Sequence, residues 1–198
     1  MNGKDVDQFI KLAAWTRKEI SGVQFYATLE SLASLRSLPF LDIAQIINID
    51  DRLKDLALYK TEIWLYDAKG PAKNLSPYSY YRLMSWKAFV LGLKGAGFWN
   101  YSDFSGWGDL PPVKAWDDFV DKGDSYAVIY EGSNGHIVSS RRWESWRMGV
   151  EDYELLTMYA KAKGIEKAKA LAKSVLDNTS CVTKADQVRL KILEELSP

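Results

Sequence analysis

Histidine and cysteine each occur once, at His136 and Cys181, and that scarcity closes off several chemistries at the outset. A Ser-His-Asp triad needs a histidine held by an acid, a Cys-His dyad needs both residues together, and a zinc site needs three or four such ligands. Cys181 has no second cysteine to pair with inside the chain. His136 sits beside a turn and is expected to be exposed. What remains for chemistry is a set of acids, amides and aromatics, with 8 Trp and 11 Tyr among 198 residues. Indole and phenol rings combine an apolar face with a polar edge, so they stack on flat C–H surfaces and equally well fill cores. The candidates are Tyr26 and Thr28, then Asn48 and Asp50, then Trp64, Tyr66 and Asp67, then Trp99, Asn100, Tyr101 and Asp103. Carboxylates and amides of this kind can bind hydroxyl groups, and the rings can form a platform beneath a flat ligand.

Each group of candidates closes a short apolar run, and the elements that must carry them alternate in period. Residues 5–20 space Val6, Phe9, Ile10, Ala13 and Ile20 as a helix, with Asp5 as N-cap and Gly22 beyond its end. The run VQFYAT at 23–28 reads as a strand, 30–38 as a short helix broken by Pro39, and IAQIINI at 43–49 as a nearly continuous apolar strand. Two helical turns fit 51–58, and EIWLY at 62–66 is a third strand. Ser76-Pro77 opens a helix that runs to about Lys94, where Gly95 ends it, and AGFWNY at 96–101 is the fourth strand. Helix then strand, four times over, with strands apolar almost throughout, is the pattern of parallel strands covered by helices on both faces. Periodicity alone does not separate an open doubly wound sheet from part of a closed barrel. Side chains alternate along a strand, so Trp64 and Trp99 face either the cleft or the helix layer. One member of Asp50-Asp51 is expected to cap the helix that follows.

Beyond Tyr101 the chain changes character. Residues 102–140 are loop-rich, with a hairpin joining 125–131 to 136–140 through Gly132-Ser133-Asn134-Gly135. Trp107 and Trp116 in this excursion line a cleft rim or pin the loop. Helices follow at about 141–163, 165–177 and 183–196. In the first, Trp143, Trp146 and Tyr153 have the spacing of core positions, Arg142 is placed to brace the hairpin, and Glu151-Asp152 are solvated or paired with Arg or Lys.

Two stretches carry a family likeness: Tyr80–Tyr101, YYRLMSWKAFVLGLKGAGFWNY, and Ser139–Leu156, SSRRWESWRMGVEDYELL, the latter preceded by the hairpin residues IYEG. In order and spacing they resemble the C-terminal half of the catalytic barrel of glycoside hydrolase family 123 and the related domain of unknown function 4091. The resemblance implies a partial (β/α)8, TIM-type, α/β barrel of about four parallel strands, with a small β-hairpin and C-terminal helices. It implies a half-barrel over 1–163, with the excursion at 102–140, and a helical extension over 164–198. In such barrels the working face lies at the C-terminal ends of the strands, which makes Tyr26, Asn48, Asp50, Trp64, Tyr66, Asp67, Trp99, Tyr101 and Asp103 the expected carbohydrate-binding set.

The resemblance also implies hydrolysis of a terminal N-acetylhexosamine by substrate assistance, with no cofactor and no metal. A Glu protonates the glycosidic oxygen while a preceding Asp orients the substrate's own acetamido group. No adjacent Asp-Glu pair stands at a strand end here, and Asp50-Asp51 belongs to the wrong strand. The chain is expected to begin just downstream of that pair and to be inactive alone, as a hydrolase fragment. The alternative is a non-catalytic half-barrel that binds carbohydrate or protein. Four parallel strands leave open edges, so a missing N-terminal half-barrel or a second copy of the chain is the expected partner. With 26 Lys and Arg against 26 Asp and Glu, the balance of charge offers no footprint for nucleic acid or an anionic membrane surface. No run approaches the roughly 20 apolar residues of a membrane-spanning helix.

Overall fold

The computed structural model of the protein describes residues 5–47, 56, 58–102 and 126–197. The chain forms two compact units, Met1–Asp67 with Leu93–Phe98, and Ala68–Gly92 with Trp99–Pro198.

The first unit is built on a four-stranded sheet: β1 (Tyr26–Leu29), β2 (Ile43–Ile47), β3 (Glu62–Asp67) and β4 (Gly95–Phe98). The strands lie side by side in chain order and every pairing is parallel. Helix α1 (Val6–Glu19) precedes β1, and a 3-10 helix (Leu32–Phe40) joins β1 to β2. That helix does not stop before Pro39. Serines at 31, 34 and 37 explain why: Ser34 Oγ donates to the Ser31 carbonyl at 2.6 Å and Ser37 Oγ to the Ser34 carbonyl at 2.7 Å. Hydroxyls spaced by three residues suit a 3.0-residue turn, and they hold the run although proline contributes no N–H.

Asp42 pins the N-terminal end of this sheet. Its carboxylate accepts the Phe25 N–H at 2.7 Å and Arg17 Nη2 at 2.8 Å, which ties α1 to the starts of β1 and β2. The Phe25 amide, with help from Arg17, holds the Asp42 carboxyl below its usual range. Nearby, Thr61 Oγ1 donates to the Leu38 carbonyl at 2.6 Å.

The second unit contains a π-helical turn (Pro77–Arg82) leading into α2 (Leu83–Leu91), a hairpin of β5 (Ile129–Glu131) and β6 (Ile137–Ser139), and three further helices. These are α3 (Arg141–Lys163), α4 (Ile165–Leu176) and α5 (Lys184–Leu196). Helix α2 ends three residues earlier than its spacing suggests, at Gly92, which adopts φ +73°. That left-handed residue is one glycine tolerates without strain. The core gathers Tyr78, Trp86, Phe89, Leu156, Val175 and Ile192 from five helical segments. At its centre Asp152, 1% exposed, accepts Arg82 Nε at 2.7 Å, Trp86 Nε1 at 2.9 Å and Arg189 Nη1 at 2.8 Å. Burial opposes the charge on Arg82, but its bonds to Asp152 and Asp186 raise its pKa on balance. Gly149 packs on the Arg82 carbonyl, where any Cβ would overlap it. Among the described residues, no helix is long and apolar enough to cross a membrane.

Candidate functional site

The register of the sheet sorts its side chains onto two faces. Tyr26 and Thr28 of β1 align with Ile43, Gln45 and Ile47 of β2, then with Glu62, Trp64 and Tyr66 of β3, and with Gly95 and Gly97 of β4. The opposite face presents Ala27, Leu29, Ala44, Ile46, Leu65 and Ala96. Of these, Leu29, Ala44 and Ile46 are 0% exposed. One face is therefore mainly apolar, with Leu29, Ala44, Ile46 and Leu65 buried, while the other carries most of the polar and aromatic groups.

That second face is concave. The Tyr26 ring of β1 meets the Trp64 ring of β3 edge-on, 5.9 Å between centroids. Gln45 of β2 reaches over Gly97 of β4, where an added Cβ would overlap its amide nitrogen. Each contact spans two strand spacings, about 9.6 Å in a flat sheet. Side chains close such a distance when the strands curl toward one another, as they do along the inside of a barrel.

Glycine makes room for these contacts. The Trp64 indole lies where a side chain at Gly95 would have to go. Its Nε1–H donates to Glu62 Oε1 at 2.8 Å, and Lys94 Nζ holds Glu62 Oε2 at 3.2 Å. The indole N–H holds the Glu62 carboxyl below its ordinary range, with Lys94 adding to the effect. Trp64 is thus clamped toward the N-terminal end of the strands, forming a floor. Burial pushes the Tyr66 phenol up to about 12, with the Tyr26, Glu30 and Asp67 charges acting in the same direction. It stays protonated and neutral across the physiological range. Burial also raises Tyr26, opposed by its hydrogen bond with Thr28.

Of the candidates read from sequence, Tyr26, Trp64 and Tyr66 share the concave face. Asp67, the last residue of β3, alternates to the opposite one. Asn48, Asp50, Asp103, Trp107 and Trp116 lie outside the described residues. Trp99 and Tyr101 belong to the second unit and follow the end of β4 instead of lying within it. Tyr101 packs edge-on against Trp143 of α3 at 4.9 Å, and its carbonyl accepts the Val128 N–H at 3.1 Å. Arg142 does brace the hairpin: Nη2 donates to the Tyr130 hydroxyl at 3.1 Å and the guanidinium lies over the Tyr130 ring. Glu151 and Asp152 are both paired, through Arg189 and Arg82. The residue that sequence reasoning passed over is Gln45, 7% exposed on the concave face. Its signal was present, because a lone amide inside IAQII is a buried polar group that needs a reason.

The first unit also has a cleft of about 520 Å³, bordered by Arg17, Leu41, Asp42, Tyr59, Lys60 and Thr61. Those residues precede β2 and β3, so the cleft opens at the N-terminal ends of the strands, where barrels keep stability rather than catalysis.

An arc of parallel strands, apolar on its outer face and aromatic and polar on its concave face, defines a β/α barrel segment with a cleft-type face. The family model described as glycoside hydrolase 123, catalytic domain, matches residues 37–159, and the chain belongs to that family. Among solved structures it is similar to a family 123 glycoside hydrolase from Clostridium perfringens, studied for the details of glycolipid glycan hydrolysis. The TM-score is 0.58 and the identity 14%, over 96% of this chain and 44% of that one. The chain thus spans less than half the length of that neighbour. No curated protein matches it.

Proposed function

We propose that the concave face of β1–β4 binds carbohydrate, and that this chain contributes the sugar-holding side of a glycoside hydrolase barrel without the acids that cleave the bond. The observation that carries the reading is the composition of that face: Tyr26, Thr28, Gln45, Trp64 and Tyr66 over a glycine floor. These are neutral hydrogen-bonding groups and rings, the recognition chemistry of a polyol. Family membership supports a terminal N-acetylhexosamine as the ligand. Nowhere in the sequence does an Asp directly precede a Glu to serve as acetamido-orienting group and acid. Chromogenic N-acetylhexosaminides should therefore be bound but not turned over. Turnover abolished by Asp67→Asn would overturn this division of labour.

The proposal includes a partner. Strands β1 and β4 each have one neighbour among the described residues, so their outer edges suit a complementary half-barrel or a second copy of the chain. Sedimentation should detect self-association of the isolated chain. A monomer at all concentrations would leave the complementary half-barrel as the occupant.

A further inference from the structure

We propose that Gln45 is a ligand-binding residue of the concave face, donating a hydrogen bond from its side-chain amide to an acceptor oxygen of a neutral ligand. This deepens the carbohydrate reading and rests on it. A carboxamide has one acceptor oxygen and two donor hydrogens. The oxygen is already engaged, because Thr28 Oγ1 donates to Gln45 Oε1 at 3.2 Å. The Thr28 hydroxyl, in giving its one proton to Oε1, turns the amide nitrogen away from β1.

Gly97 completes the arrangement. With no side chain there, the amide nitrogen settles over the β4 backbone, in the space a Cβ would fill. In register, Gly97 lies beside Tyr66, one row closer to the C-terminal ends of the strands than Gln45's own Cα. The donor is thus carried toward the mouth of the cleft. Among the described residues, Oε1 has a partner and Nε2 has none. With its oxygen engaged, the amide keeps two donor hydrogens for an occupant of the face that can accept from them.

The surroundings select the ligand's charge. Tyr26, Thr28, Trp64 and Tyr66 carry no fixed charge, and Glu62, at the far end of the face, is matched by Lys94. Nothing here compensates a phosphate or a carboxylate. A hydroxyl, ring or acetamido oxygen is the acceptor that fits.

The test is a titration of isotopically labelled protein with the methyl glycosides of N-acetylgalactosamine, N-acetylglucosamine and galactose. The side-chain amide pair of Gln45, assigned by its loss in Gln45→Leu, is followed by NMR. One of these sugars should shift that pair. Gln45→Glu keeps the shape but replaces the donors by acceptors, and should weaken binding by about tenfold, the factor equivalent to about 1.4 kcal/mol. Gly97→Ala should weaken it as well. Binding that shifts Tyr26 and Tyr66 while leaving the Gln45 pair unmoved overturns the role of Gln45 and leaves the carbohydrate reading standing. Absence of binding by all three sugars overturns both. Because the pair is read on the unaltered protein and can also be assigned through the Gln45 backbone resonances, a variant that fails to fold does not remove the test.

Discussion

Replacing Asp152 by alanine should destabilise the second unit more than any other single change to a charged residue described there. The Arg82 side chain is 4% exposed and that of Asp152 1% exposed, so neither is reached by solvent. Removing the carboxylate strips the bonds to Arg82 Nε and Nη2, leaves the Trp86 indole N–H without its acceptor, and loosens Arg189. Breaking one side of a buried ion pair costs about 3–5 kcal/mol. An orphaned buried donor costs about 1–3 kcal/mol. The two overlap within one network, and Arg82 keeps Asp186 at 2.7 Å through Nη1, so their sum is not reached. A net loss of about 3–5 kcal/mol is expected, read by urea unfolding with a helical circular-dichroism signal. Asp152→Asn keeps an acceptor while losing the charge and should fall at about half that. The double variant Asp152→Leu with Arg82→Met should recover much of the loss, since it leaves no buried charge uncompensated. A loss below about 1 kcal/mol for Asp152→Ala, or additive single and double variants, would refute the network as described.

Three further outcomes follow from the sheet. Gly95→Ala places a methyl group in the space of the Trp64 indole and should cost about 1–3 kcal/mol by overpacking, with a change in tryptophan emission; unchanged emission and stability would contradict the clamp. Asp42 and Glu62 both have folded pKa values below their unfolded ones, so their contribution is present above the ordinary carboxylate range, about 3.9–4.3, and is lost as pH falls through the folded values. Acid titration should therefore release Trp64 and α1 together below about pH 4, and Asp42→Asn should flatten that part of the stability curve. Arg142→Met should loosen the hairpin, read as faster amide exchange at Ile129 and Glu131, with little effect on α4 and α5.

The two stretches that carry the family likeness turn out to be two sides of one contact. Arg82 and Trp86, from the first, close on Asp152 from the second; Phe89 meets Tyr153 at 5.5 Å, and Tyr101 meets Trp143. A motif of this kind is legible because buried pairing restricts which residue types can stand at each position. Local signals served well where they were local. Ser140 caps α3 by accepting the Arg142 and Trp143 N–H groups, and Gly132-Ser133-Asn134-Gly135 turns the hairpin, so both elements fall where they were expected.

Strand limits were less legible, for reasons that lie outside the strands. β1 starts at Tyr26 and not Val23, and Phe25 instead donates to the Asp42 side chain. β4 stops at Phe98 because the backbone beyond it pairs elsewhere, Asn100 N–H with the Tyr126 carbonyl and Val128 N–H with that of Tyr101. Trp99 and Tyr101 were accordingly assigned to a strand they only follow. The facing of Trp64, left open by alternation alone, was settled by Gly95, a residue thirty-one positions away whose missing side chain no local pattern connects to it. Gln45 was legible in principle and passed over, because the strand was read for its apolar run and not for its exception.

The central claim is that the inner surface of the β1–β4 arc is a sugar-binding face. Labelling the tyrosine rings and titrating with an N-acetylhexosamine tests it most directly. The account predicts saturable shifts at Tyr26 and Tyr66, with Tyr130, on the hairpin, unmoved. Shifts confined to Tyr59 at the opposite end of the sheet, or none at millimolar sugar, would contradict it.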